Sequence, residues 1–87
     1  MAYLLVRHKV ADFAKWKPAF DTHQGARAAA SLRDRLILRG IDNPNELVLL
    51  FEVGDVAKAR AFTSSTALRD VMQSAGVVDK PDIYFLQ

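Results

Sequence analysis

The sequence holds 87 residues with twelve basic and ten acidic side chains, a formal net charge of +2, and no cysteine. Disulfide staples and thiolate metal sites are therefore excluded, and a chain this short hides only about 60% of the surface its unfolded form exposes. No stretch approaches the ~20 apolar residues of a membrane helix, and mixed charge gives little footing for nucleic acid.

The opening run MAYLLVRHKV sets its apolar residues ahead of Arg7, His8 and Lys9, the reverse of a signal peptide, so a cytoplasmic location is expected. Ala2 to Lys9 reads as a first strand. Asp12 is placed to cap a helix whose inward stripe is Phe13, Trp16, Phe20, His23 and Arg27, with Pro18 predicting a kink or a loosened first turn. Leu32 to Ile41 is a second strand, Asp42-Asn43-Pro44-Asn45 a turn, and Glu46 to Val53 a third strand, so these two make a hairpin. Asp55 caps a helix carrying Val56, Ala59 and Phe62, which Ser64, Ser65 and Thr66 interrupt. A further helical piece carries Leu68, Val71, Met72 and Ala75 and closes at Gly76. Pro81 then turns the chain into a fourth strand, Asp82 to Gln87.

The order β-α-β-β-α-β predicts one α+β domain over residues 1–87, with a four-stranded antiparallel sheet and helices on one of its faces. The other face is left bare, yet the strands are apolar on both parities: Leu47, Leu49 and Phe51 oppose Val48 and Leu50, and Ile83 and Phe85 oppose Tyr84 and Leu86. Five such side chains left in water forgo on the order of 10 kcal/mol of burial, which rivals the stability of a whole domain. A homodimer that covers the bare face is the expected remedy.

With this element order, DFAKWKPAFDTH in the first helix, ARAFTSSTALRDVMQSAGV in the second helical region and the terminal DIYFL strand, the chain resembles the dimeric α/β-barrel superfamily. These are ferredoxin-like domains that include antibiotic-biosynthesis monooxygenase-like and stress-responsive barrel proteins. The resemblance implies two sheets closing a barrel and, in each subunit, a cavity between helices and sheet. Some relatives oxidise aromatic molecules without a cofactor, some degrade haem, and some isomerise or cyclise small molecules. Haem-degrading relatives carry an asparagine late in the first strand and a histidine on the second helix. Here His8 ends the first strand and residues 56–75 hold no histidine, so haem chemistry is not expected and no cofactor is assigned.

Helix and strand rises place Trp16 level with His8 and His23 about 10 Å further down, which is poor geometry for a shared metal, and none is assigned. The candidate catalytic residues are His8, to move a proton, and Tyr84, to orient an oxygen; Trp16, Phe20, His23 and Phe62 are the candidate substrate-binding residues. Each has a plainer reading: the aromatics as core, His23 as a satisfied buried histidine, His8 as an exposed strand end. Arg33, Arg35 and Arg39 are read as one face of the second strand, guarding an edge rather than holding an anion. Two functions follow: a cofactor-independent monooxygenase-like or cyclase-like enzyme acting on a small apolar or aromatic molecule, or a non-catalytic dimer that binds a hydrophobic metabolite or scaffolds a partner.

Overall fold

The computed structural model describes Met1–Gln87. Strand β1 (Ala2–Lys9) buries Leu4, Val6 and His8 and leaves Tyr3, Leu5 and Arg7 on the opposite side, the period-two alternation of a sheet covered on one face. Asp12 caps helix α1 (Phe13–Thr22) by accepting the Ala14 N–H at 2.9 Å. The helix runs through Pro18 without interruption and ends instead at His23. There the backbone leaves helical geometry, and the His23 N–H bonds to Phe20 O rather than to Ala19 O. The carbonyl released by that shift takes the His23 ring, whose Nδ1 lies 2.9 Å from Ala19 O. The predicted single stripe is thus carried on two helices, α1 and α2 (Gln24–Ala29), with His23 as the joint.

Strand β2 (Leu32–Arg39) and strand β3 (Glu46–Val53) form the predicted hairpin, although β2 stops two residues early and leaves Ile41 fully exposed. Gly40 starts the turn, and a Cβ there would lie 2.6 Å from Asn43 O, which only glycine avoids. Helices α3 (Val56–Thr63) and α4 (Thr66–Ser74) are separated at Ser64-Ser65, with Asp55 and Ser65 as their caps. Gly76, at φ +91°, closes α4 as expected. Strand β4 (Asp82–Leu86) completes an antiparallel sheet ordered β2-β3-β1-β4. This is the α+β ferredoxin-like fold. The core lies between sheet and helices and joins Leu4, Val6, Leu47, Leu49 and Phe51 to Trp16 and Ala59. No helix is long and apolar enough to cross a membrane.

One strand reading is overturned. A register shift between Asp34 and Leu36 switches the parity of β2, so Arg33 stands opposite Glu52 on the bare face while Ile37 and Arg39 stand opposite Leu49 and Leu47 on the helix side. Arg33, Arg35 and Arg39 therefore do not share a face. Arg39 lies 3.9 Å over the Phe13 ring and donates to Pro44 O, and Arg35 lies 3.7 Å from Glu52.

Candidate functional site

Between α1, α4 and the helix side of the sheet lies a cavity of about 80 Å³, with fourteen of its eighteen lining residues apolar. It is lined by His8, Trp16, Phe20, His23 and Phe62, together with Leu68, Val71, Met72 and Ala75 along α4 and its C-terminal cap. The aromatic wall is continuous. Trp16 stacks on Phe20 at 4.8 Å and meets His8 edge-on at 5.8 Å, the level that the strand and helix rises gave.

Tyr84 is not in this cavity. It pairs with Leu5 on the bare face, with the ring 55% exposed, while its neighbours Ile83 and Phe85 turn toward the helices. Its register partner Leu5 lies three residues along β1 from His8, about 10 Å lower than expected, and parity carries Tyr84 to the other side of the sheet as well. The assignment of Tyr84 as a partner of His8 is corrected accordingly.

The polar groups that do line the cavity are His8, His23, Arg27 and Thr63. His8 is 1% exposed and its Nδ1 has no hydrogen-bond partner. Burial pushes its pKa below the ordinary histidine value, against an opposing pull from Asp79 and with a smaller push from Arg7. His8 is therefore neutral at pH 7. His23 has a fixed tautomer when neutral: a carbonyl can only accept, so Nδ1 carries the proton toward Ala19 O and Nε2 keeps the lone pair.

Arg27, read in the sequence as the end of the helical stripe and as one of a basic stretch with Arg33, Arg35 and Arg39, is a structural anchor of the site. It is 6% exposed, forks onto Asp34 through Nε and Nη2 at 2.9 Å each, donates from Nη1 to Phe20 O at 2.7 Å, and lies 3.6 Å over the Phe20 ring. Its charge is matched by Asp34, so the cavity offers no free cation to an anionic ligand.

A second cluster closes the sheet end near His8. Asp79 accepts the Lys9 N–H at 2.8 Å and pairs with Arg7 at 3.2 Å, and Arg7 also reaches Asp82 at 2.7 Å. Burial raises the Asp79 carboxyl, but the Lys9 N–H and the Arg7 hydrogen bond and charge outweigh it, so its pKa lies below the usual value.

The sign of the His8 shift makes a prediction. A group whose folded pKa lies below its unfolded value, about 6.5, binds fewer protons folded than unfolded between those two pH values. The stability that neutral His8 supports is present above about pH 6.5 and is lost as pH falls toward its lowered folded pKa. Thermal melts should show a decline as pH falls below about 6.5 that is reduced in His8→Phe. An identical decline in the variant would show that other groups carry the acid sensitivity.

No family model matches the sequence, and no curated protein matches it. Solved structures do. A Bordetella bronchiseptica protein provisionally named an antibiotic biosynthesis monooxygenase superposes with TM-score 0.78 at 13% identity, over 99% of this chain and 94% of that one. SnoaB of Streptomyces nogalater, a cofactor-independent oxygenase solved in a mutant form, superposes with TM-score 0.72 at 14% identity, over 99% and 90%. The chain has the fold of the antibiotic biosynthesis monooxygenase structures. The same fold also matches an uncharacterised NIPSNAP domain protein of Burkholderia xenovorans, with TM-score 0.65 at 9% identity over 100% and 93%. The monooxygenase-like fold therefore extends over the whole chain, while identities this low speak to fold alone.

Proposed function

We propose that this chain is a cofactor-independent, monooxygenase-like enzyme that holds a small, flat, uncharged aromatic molecule against Trp16 and Phe20, and that two copies pair through the bare sheet face. The observation that carries the reading is a neutral, buried histidine with an unpartnered Nδ1 on the wall of a mostly apolar cavity that Trp16 and Phe20 line. SnoaB, a cofactor-independent oxygenase of the same fold, supports it. Neutral His8 accepts a proton from a ring hydroxyl or an acidified ring carbon. The anion left behind is electron-rich enough for dioxygen to oxidise. Conversion of a ring CH2 to C=O then balances, with one oxygen atom entering the ketone and the other leaving as water. His23 Nε2 supplies a second acceptor, which can orient a substrate hydroxyl but cannot donate to an oxygen as Tyr84 was expected to do.

The cavity's size shapes the reading. At about 80 Å³ it is smaller than the roughly 150 Å³ apolar cavity that takes up a benzene ring in another protein, so a bicyclic guest requires a wall to move. Helix α4 is the wall best suited to do so, since none of its residues is fully buried. The same smallness favours a second reading, a non-catalytic module that takes up a small hydrophobic molecule or none.

Oxygen uptake with ring ketones that carry an acidified ring CH2, in frames of one to three rings up to anthrone, separates the two. The enzyme reading expects acceleration by one ring size, loss of about a hundredfold or more in His8→Phe, and a rate that falls as His8 becomes protonated. Quenching of Trp16 fluorescence without oxygen uptake would favour the binding module. Full turnover in His8→Phe would remove the mechanism.

A further inference from the structure

Beside the cavity at Trp16, on the outer side of α4, runs a polar groove of about 580 Å³, bounded by that helix and by residues 77–81 leading into β4. Leu68, Met72, Ile83 and Thr63 line the cavity and the groove alike, so their side chains form the partition between the two spaces. Leu68 and Met72 stand one turn apart on the same face of α4. Val71 lines only the cavity, and Gln73 lines only the groove.

The two volumes are complementary. At about 80 Å³ the cavity lies far below the roughly 300–1,000 Å³ of a small-molecule pocket, whereas the groove falls within that range. A ring held against Trp16 gains room by crossing the partition. Beyond it, the exposed side chains of Arg69, Gln73 and Lys80 offer hydrogen-bond donors to oxygen atoms on the outer end of a guest.

Helix α4 is held unevenly, which decides how the partition opens. Just past its C-terminal end the chain is stitched to β1 and the residues after it. Gly76 O accepts the Ala11 N–H at 2.9 Å, the Val78 N–H donates to Lys9 O at 2.9 Å, and Asp79 accepts the Lys9 N–H at 2.8 Å. The Val77 N–H returns to Met72 O at 3.0 Å, so the Met72 backbone is fixed in the helix cap and its side chain is the movable part. At the other end, Ser64 and Ser65 bond only to carbonyls of α3 and to the first N–H groups of α4. No hydrogen bond ties that end to the sheet. Neither Leu68 nor Met72 is fully buried, and an unbranched Met side chain changes rotamer readily.

We infer that the groove is the outer chamber of the site and that Met72, with Leu68, is the gate between the two spaces. Guests reach Trp16 through the gap between α4 and β4, and the side chain at position 72 decides how large a ring system passes. The inference rests on the cavity being the ligand site, as proposed above, and gives that site its entrance and its size filter. The ligands it selects are uncharged flat molecules with an apolar inner ring and oxygen substituents on the outer end.

Stopped-flow quenching of Trp16, the single tryptophan, tests the gate with nitrobenzene and 1-nitronaphthalene, uncharged quenchers of one and two rings. Neither offers an acidic hydrogen to His8, so their entry reads access apart from chemistry. Met72→Ala should speed entry and exit of 1-nitronaphthalene by about tenfold each, with a smaller gain for nitrobenzene, because a gate slows both directions. Met72→Phe should slow both. Val71→Ala, which widens the cavity on its own side alone, should stay within about twofold of the wild-type rates. An acceleration in Val71→Ala equal to that in Met72→Ala would mean that α4 loosens as a whole, and overturns the gate. Unaltered rates in both Met72 variants, with quenching intact, overturn it too and leave the cavity as the ligand site. Should Met72→Ala fail to fold by circular dichroism, the rates of Met72→Phe decide alone. Absence of quenching by either probe, in the wild type and in Met72→Ala, removes the ligand site and the gate together.

Discussion

Replacing Trp16 with alanine is expected to cost about 3–5 kcal/mol of folding stability, the range for truncating a fully packed aromatic. Trp16 is 3% exposed and touches three rings: His8 at 5.8 Å, Phe13 at 5.7 Å and Phe20 at 4.8 Å. A domain of this size holds roughly 4–13 kcal/mol in total, so the variant should be barely folded at the low end of that range. Thermal denaturation at fixed protein concentration should show a drop on the order of 20 °C. Trp16→Phe keeps a ring at the centre of the stack and should lose much less. A loss of under about 1 kcal/mol in Trp16→Ala would mean that helix and sheet collapse into the space. The cavity would then be a soft region of the core rather than a formed site.

The stripe that contains Trp16 was legible because helical periodicity survives a break. Phe13, Trp16, Phe20, His23 and Arg27 fall on one side whether the chain forms one helix or two, and the joint at His23 changes only the backbone hydrogen bonds. Strand parity was less legible, because the strands are apolar on both faces and periodicity alone does not say which face is covered. For β4 a signal was present. Asp82 can meet Arg7 only on the face away from Leu4, Val6 and His8, and alternation then carries Tyr84 with it. In β2 the register shift after Asp34 has no comparable signature, since Leu36, Ile37 and Leu38 offer an apolar side chain to either face. The pairing of Arg27 with Asp34 was hidden for the same reason: it joins the end of a helical stripe to a strand position whose direction depends on that shift.

That pair gives the second large effect. Asp34→Ala leaves the Arg27 guanidinium 6% exposed with its carboxylate gone, and breaking a fully buried pair costs about 3–5 kcal/mol. The Asp34 side chain is 38% exposed, so water screens part of the interaction and a loss of about 2–3 kcal/mol is expected. Arg27→Met should be milder, because Phe20 O keeps the His23 N–H when the guanidinium is removed and the Met side chain still covers the Phe20 ring. The double variant Arg27→Met/Asp34→Leu, with neither charge present, should recover most of what Asp34→Ala loses. Chemical denaturation of the set measures this directly, and equal losses in Asp34→Ala and the double variant would show that packing rather than an unpaired charge sets the cost. The same substitution alters what the cavity accepts. With Asp34 removed, Arg27 is an uncompensated cation on the cavity wall, so benzoate should stabilise Asp34→Ala against unfolding and leave the wild type unchanged. In the wild type, Asp34 neutralises that charge and keeps the cavity suited to an uncharged ring.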